Sequence, residues 1–173
     1  VIFSGWGAPQ MDETFLDAAP NLKEMFYVAG SIKTTATDSS WSKNIVVATA
    51  PYANAIPVAE YTLSQILFSL KNGWRFVRDV REKKEYPSKP FYHGDIWRYG
   101  RLISLSKIGR MVAELLKTFD IRVISYAPFA GPDDETRLNV TLASMDEIFK
   151  QSDVISLHAP LLPESTGMIT GAH

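Results

Sequence analysis

Residues 102–129, LISLSKIGRMVAELLKTFDIRVISYAPF, constrain the fold more than any other stretch of the chain. Leu102 and Ile103 make a short apolar run that breaks at Ser104, Leu105 and Ser106. Ile108, Met111, Val112, Leu115 and Leu116 then recur at three- and four-residue spacing, with Lys107, Arg110, Glu114 and Lys117 on the other side. That pattern predicts an amphipathic helix, ended at Asp120. Residues 121–126 form a second β-rich run. Strand, tight turn, helix and strand in so short a span is half of a βαβ unit of the dinucleotide-binding type. Gly109 stands at the third glycine of G-x-G-x-x-G, where helix and strand come closest. Ser104 and Ser106 stand at the first two glycine positions, and Ala127 stands where an acid is expected. The outline is that of a nucleotide-binding turn with three of its four chemical markers altered.

Composition narrows the possibilities. The 173 residues suffice for one domain or two small ones. A formal net charge of −1 gives no electrostatic reason to expect nucleic acid or an anionic membrane as partner. The chain has no cysteine, so it has no disulfide framework and no thiolate chemistry, which fits a cytoplasmic protein. No apolar run approaches the roughly 18 residues of a membrane span, and no signal peptide is visible. The chain opens at Val1 in a strand-like run and stops at His173 after a turn, so both ends read as cut.

The remaining stretches alternate strand and helix patterns. Residues 1–4, 25–28, 45–48 and 154–157 read as strands. Asp12 is placed as the N-cap of a short helix that buries Phe15 and Leu16. Residues 34–41 read as a short helix or turn. Pro57 suits the first turn of the longest helix, whose apolar stripe runs through Tyr61, Ile66, Leu67, Leu70, Trp74 and Val77. It gives way to a mixed-charge run from Arg78 to Glu85, read as a solvated helix end. Pro87 and Pro90 end that helix. Residues 91–100, with His93, Trp97 and Tyr99, form a polar-aromatic linker and the best candidate domain boundary. Residues 130–136 read as a loop. Ser144 and Glu147 form a capping box that opens a further short helix. This alternation predicts an α/β fold with parallel sheets covered on both faces, and ligands at the carboxyl ends of the strands. No His, Asp or Glu grouping has metal-ligand spacing, so no metal site is expected.

Four pieces of sequence carry a resemblance: Ala29-Gly30-Ser31; NAIPVAEYT from Asn54 to Thr62; ISLSKIGR from Ile103 to Arg110; and SDVISLHAPL from Ser152 to Leu161. Their order and spacing resemble the D-isomer-specific 2-hydroxyacid dehydrogenases, the family of D-lactate, glycerate, formate and phosphoglycerate dehydrogenases, over nearly the whole chain. The resemblance implies two doubly wound parallel-sheet domains, both incomplete. Residues 1–90 would be part of a flavodoxin-like substrate domain, with a connecting helix from about Pro57. Residues 91–173 would be the first half of a Rossmann NAD-binding domain. It implies hydride transfer between nicotinamide and a D-2-hydroxy or 2-oxo acid, with NAD as cofactor and NADP left open by Ala127. It also implies a homodimer. The family's catalytic Arg, Glu and His would lie beyond residue 173, so no catalytic residue is assigned.

By the same resemblance, cofactor-binding residues are expected at Ser106, Lys107, Ile108, Tyr126, Ala127, Pro128, His158, Ala159, Pro160 and Thr166. Substrate-binding residues are expected at Ala29, Gly30, Ser31 and Tyr52. Several positions keep two readings. The Ser106 hydroxyl either donates to a phosphate or crowds the pyrophosphate, and binding is preferred. His158 either faces the adenine side or is a structural hydrogen-bonding residue at a strand end. Thr166 is a cofactor-loop residue or a helix cap. The loop at Gly30 faces a substrate carboxylate or is a plain strand-to-helix turn. Asp133 and Asp134 replace the missing acid only if their loop folds back. A non-catalytic dinucleotide-binding or corepressor-like scaffold of the same fold is the alternative function.

Overall fold

Burial of alternate strand residues sets the architecture of both halves. The computed structural model describes residues 1–86, 98–150 and 153–173. They fall into two compact units, Val1–Pro57 and Val58–His173. Pro87 and Pro90, residues 91–97 of the expected linker with His93 and Trp97, and the boundary at 90/91 lie outside the described residues, whereas Tyr99 and Gly100 belong to a strand and not to a linker.

The first unit holds β1 (Ile2–Ser4), α1 (Glu13–Ala18), β2 (Glu24–Tyr27), α2 (Asp38–Ser42) and β3 (Val46–Thr49). The strands form a parallel sheet in the order β1-β2-β3, with Phe3 opposite Phe26 and Tyr27 opposite Thr49. Met25 and Tyr27 turn to a core with Met11, Leu16, Ala29 and Ile45, while Phe15 is half-buried against it. Asp12 caps α1 by accepting from Phe15 N–H at 2.9 Å, as its sequence position predicts. Thr37 and Ser40 close a capping box on α2. The other face of this sheet departs from expectation. Phe3 and Phe26 stack at 5.1 Å between ring centres and are 76% and 38% exposed, with Val1, Val28 and Val46 exposed as well.

The helix expected from about Pro57 begins at Pro51 and runs to Leu70 (α3). Proline at its first position costs no intrahelical hydrogen bond, while Pro57 lies inside it. Asn72 then takes a left-handed conformation, φ 58°, and a separate helix α4 (Gly73–Lys83) starts. The predicted stripe is therefore broken. Ile66 and Leu70 are buried, whereas Tyr61, Trp74 and Val77 are exposed, Trp74 at 60%. The charge run is a solvated helix end, with Asp79 paired to Arg75 at 3.5 Å and to Lys83 at 4.0 Å.

The second unit continues with β4 (Arg98–Ile103), α5 (Lys107–Leu116), β5 (Ile121–Tyr126), α6 (Pro132–Leu138), β6 (Val140–Leu142), α7 (Met145–Lys150), β7 (Val154–Leu157) and a 3-10 turn at Pro163–Ser165. Its sheet is parallel throughout, in the order β6-β5-β4-β7. The chain leaves β4 toward β5 and β6, then crosses to β7 on the other side, so the winding reverses at β4. Leu102, Val112, Ala113, Leu116, Val123, Leu138 and Val140 close one core face together with Ala59, Ile66 and Leu70 of α3. On the alternate face Ile103 is fully buried, as is Ile148 of α7. Burying one such side chain is worth about 1.5–3 kcal/mol. Two elements depart from expectation here. The stretch read as a loop at 130–136 contains α6, opened by Pro132, with acids in its first turn and left-handed Asn139 after it. β6 is too short a run to stand out by alternation.

Candidate functional site

The reversal at β4 is where open α/β sheets bind ligands, and a cavity of about 330 Å³ lies there. It is walled by Ser104, Leu105 and Ser106 after β4, by Tyr126 to Ala130 after β5, and by Ala159, Pro160, Leu162, Glu164, Ser165 and Met168 after β7, with Arg110 from α5. Its size is at the small end of ligand pockets.

The turn from β4 into α5 explains how the cavity is shaped. Ser104 has φ 77°, a left-handed conformation that glycine adopts freely and serine does not. The first altered marker therefore keeps the backbone of a glycine. At Gly109 an added Cβ would lie 2.1 Å from the Ser104 carbonyl oxygen and 3.5 Å from His158 Cβ. Only glycine lets the helix approach the strand this closely, as its place in the motif predicts. Ser106 occupies the N-cap of α5 with extended backbone, yet its hydroxyl does not cap the helix. It donates instead to the His158 carbonyl at 2.7 Å, across 52 residues of sequence. His158 N–H in turn donates to the Ile103 carbonyl at 2.8 Å. The Ser106 hydroxyl thus ties the turn to the end of β7. With no side chain capping α5, its first turn keeps the positive end of the helix available to an anion.

Of the ten expected cofactor residues, Ser106, Tyr126, Ala127, Pro128, Ala159 and Pro160 line the cavity. Lys107 is exposed at the start of α5, and Ile108 packs against the core. The His158 ring nitrogen Nε2 lies 3.0 Å from Ser156 Oγ, and burial lowers the imidazole pKa from its ordinary value. Thr166 sits at the end of the 3-10 turn and donates its hydroxyl to the Leu162 carbonyl at 2.8 Å.

In the first unit, the loop after β2 is held to the start of α3. Ala50 N–H donates to the Ala29 carbonyl at 3.0 Å, and a Cβ at Gly30 would lie 3.5 Å from Asn54 Nδ2. Ala29 is buried, Ser31 exposed, and Tyr52 exposed on the first turn of α3.

The sequence sets Arg110 on the polar side of the helix but does not announce its partner. Arg110 makes a two-pronged ion pair with Asp134 of α6, Nη1 to Oδ1 and Nη2 to Oδ2, the latter at 2.9 Å. Arg137 also reaches Asp134, at 3.3 Å. The bond to Arg110 holds the Asp134 carboxyl down to about 2 and raises the Arg110 pKa. No group of metal-ligating side chains occurs among the described residues. Likewise, no described helix is long and apolar enough to cross a membrane.

A dinucleotide fits part of this site. The uncapped helix, the close approach at Gly109 and the switch-point cavity suit a pyrophosphate, whereas the end of β5 offers Ala127 where a ribose would find a carboxylate. Fold and site together define a doubly wound nucleotide-binding α/β domain. Residues 63–173 match the family model "D-isomer specific 2-hydroxyacid dehydrogenase, NAD binding domain". The chain belongs to that family. It is 27% identical over 165 residues to D-3-phosphoglycerate dehydrogenase of Mycobacterium bovis, covering 94% of this chain and 31% of the relative. The same enzyme of Archaeoglobus fulgidus is 27% identical over 161 residues, covering 92% of this chain and 30% of the relative. Among solved structures, the NAD-complexed D-isomer specific 2-hydroxyacid dehydrogenase of Lactobacillus delbrueckii ssp. bulgaricus superposes with a TM-score of 0.74 at 23% identity, over 94% of this chain and 50% of that one. The chain thus spans about a third of the length of these curated relatives.

Proposed function

We propose that this chain is the part of an NAD(P)-dependent D-2-hydroxyacid dehydrogenase that holds the nucleotide and one side of the substrate site. The observation that carries the reading is the cavity at the reversal of the second sheet, entered by an uncapped helix whose Gly109 permits close backbone approach. Residues 1–90 are assigned to the substrate domain and 91–173 to the nucleotide domain. The first-turn amides of α5 would receive the pyrophosphate, while Ala127, Pro128, Ala159 and Pro160 would pack the adenosine half. His158 would support this wall through its backbone rather than transfer a proton. Its N–H and C=O are both engaged by the turn. When bound, the cofactor supplies the hydride that is exchanged with a 2-oxo or 2-hydroxy acid. The loop at Ala29, Gly30 and Ser31, with Tyr52, would face the acid's carboxylate, since small residues let backbone N–H groups come close. We assign the protein to the cytoplasm and to a homodimer formed through the exposed apolar residues of α3 and α4.

Titrating the 173-residue chain with NADH and following nicotinamide fluorescence tests the nucleotide reading. Saturable enhancement is expected, and it should be lost in Gly109→Ala. A flat titration up to millimolar cofactor would sink it.

A further inference from the structure

The end of β5 and the ion pair beside it bear on which dinucleotide the cavity takes. In doubly wound nucleotide-binding domains, a carboxylate near the end of the second strand accepts hydrogen bonds from the adenosine ribose. An arginine nearby instead accommodates a 2′-phosphate. Here the strand runs into Ala127-Pro128-Phe129-Ala130, which line the cavity without a carboxylate. Arg110 is the basic residue of the lining and Glu164 the acidic one, on the far wall after β7.

Arg110 is prepared for an anion in two respects. Asp134 grips its guanidinium by both terminal nitrogens, which fixes the plane of the fork while leaving one N–H on each terminal nitrogen, and the Nε–H, for other acceptors. Asp134 itself is not part of the cavity wall, whereas the Arg110 side chain is 35% exposed. The charge of Asp134 is also compensated twice, by Arg110 and by Arg137. Of the other acids on α6, Glu135 accepts from Leu142 N–H at 2.7 Å and so faces β6, and Asp133 is exposed.

We propose that Arg110, positioned by Asp134, reads the 2′ position of the adenosine ribose, so that the cavity prefers a 2′-phosphorylated dinucleotide. This rests on the dinucleotide reading given above. Ala127 contributes by omission, because it neither repels the phosphate nor rewards a free hydroxyl.

Calorimetric titration of the chain with 5′-AMP, adenosine 2′,5′-bisphosphate and adenosine 3′,5′-bisphosphate at one ionic strength tests the proposal. The 2′,5′ isomer should bind roughly tenfold or more tightly than 5′-AMP, the size of one or two charged hydrogen bonds. The 3′,5′ isomer, equal in charge, should bind like 5′-AMP. Arg110→Gln should abolish the difference, with an unchanged far-UV circular dichroism spectrum showing that the variant is folded. Asp134→Asn should narrow the difference, and Ala127→Asp should reverse it. Equal binding of 5′-AMP and the 2′,5′ isomer, or equal binding of the two bisphosphates, overturns the proposal while leaving the nucleotide site standing. Survival of the preference in Arg110→Gln overturns it as well. If none of the three ligands binds, the dinucleotide reading falls and this proposal with it.

Discussion

Two parallel sheets in this chain end in turns of opposite character. After β2, the loop at Gly30 leads toward α2, whose N-terminus is closed by Thr37 and Ser40. After β4, the turn leads directly into α5, whose N-terminus no side chain closes although a serine stands at the N-cap. The first is satisfied by its own side chains. The second keeps a left-handed serine, a glycine at which an added Cβ would collide with the Ser104 carbonyl, and a hydroxyl spent on the end of a distant strand. A turn that forgoes a cap within reach and holds a sparsely populated backbone conformation leaves its helix N-terminus open beside the adjoining cavity.

The contrast breaks most sharply at Gly109. Alanine there must push the Ser104 carbonyl away, and misplaced atoms in a packed site cost about 1–3 kcal/mol. Gly109→Ala is expected near the top of that range, read as a lower denaturant midpoint, with nucleotide binding lost. Alanine at Gly30, 3.5 Å from the nearest neighbouring atom, meets only ordinary contact and should change stability little. Equal effects at the two glycines would remove the distinction between the turns.

On the capped side, Asp12→Ala removes the acceptor for Phe15 N–H and should destabilise by about 1 kcal/mol. Ser106→Ala also deletes an N-cap hydroxyl, but one that does not cap. Its cost should come from the lost bond to His158 and show as a looser β7 end in hydrogen exchange, with the first turn of α5 unaffected. Faster exchange at that first turn would mean that Ser106 is a cap after all.

Much of this contrast was legible in the sequence. The spacing from Ile108 to Leu116 gave α5, Asp12 and Ser144 gave their caps, and Gly109 gave the close contact. The departures have physical causes. α6 hides in Gly-Pro-Asp composition because those residues suit a helix's first turn as well as a loop. The break at Asn72 hides because the apolar period continues across it. The partners of Ser106 and Arg110 lie 52 and 24 residues away, and no local pattern announces them.

Ser104→Gly sharpens the comparison from the other direction. A left-handed residue with a Cβ costs roughly 1–2 kcal/mol, and glycine returns about 0.5–1 of that as unfolded-state entropy. A net gain of about 0.5 kcal/mol is expected, with nucleotide binding retained because the backbone path is unchanged. No gain would mean that the serine side chain repays its own strain.

The smallest effect is a dependence on pH, and the end of β7 and the start of α6 separate in it. His158 has its folded pKa lowered by burial, so the unfolded chain binds the proton first as pH falls below about 6.5. Stability should begin to decline there, and His158→Gln should flatten that limb. Asp134 is held at about 2 by Arg110 against an ordinary 3.8, so its contribution is complete above about 4 and is lost as pH falls toward 2. Arg110→Gln should shallow the acid limb and leave the His158 limb in place, while Arg137 and the lowered Glu147 keep part of the acid limb. Denaturant midpoints measured from pH 8 to pH 2 on both variants would resolve the two. Loss of both limbs in one variant would show that the end of β7 and the start of α6 are coupled.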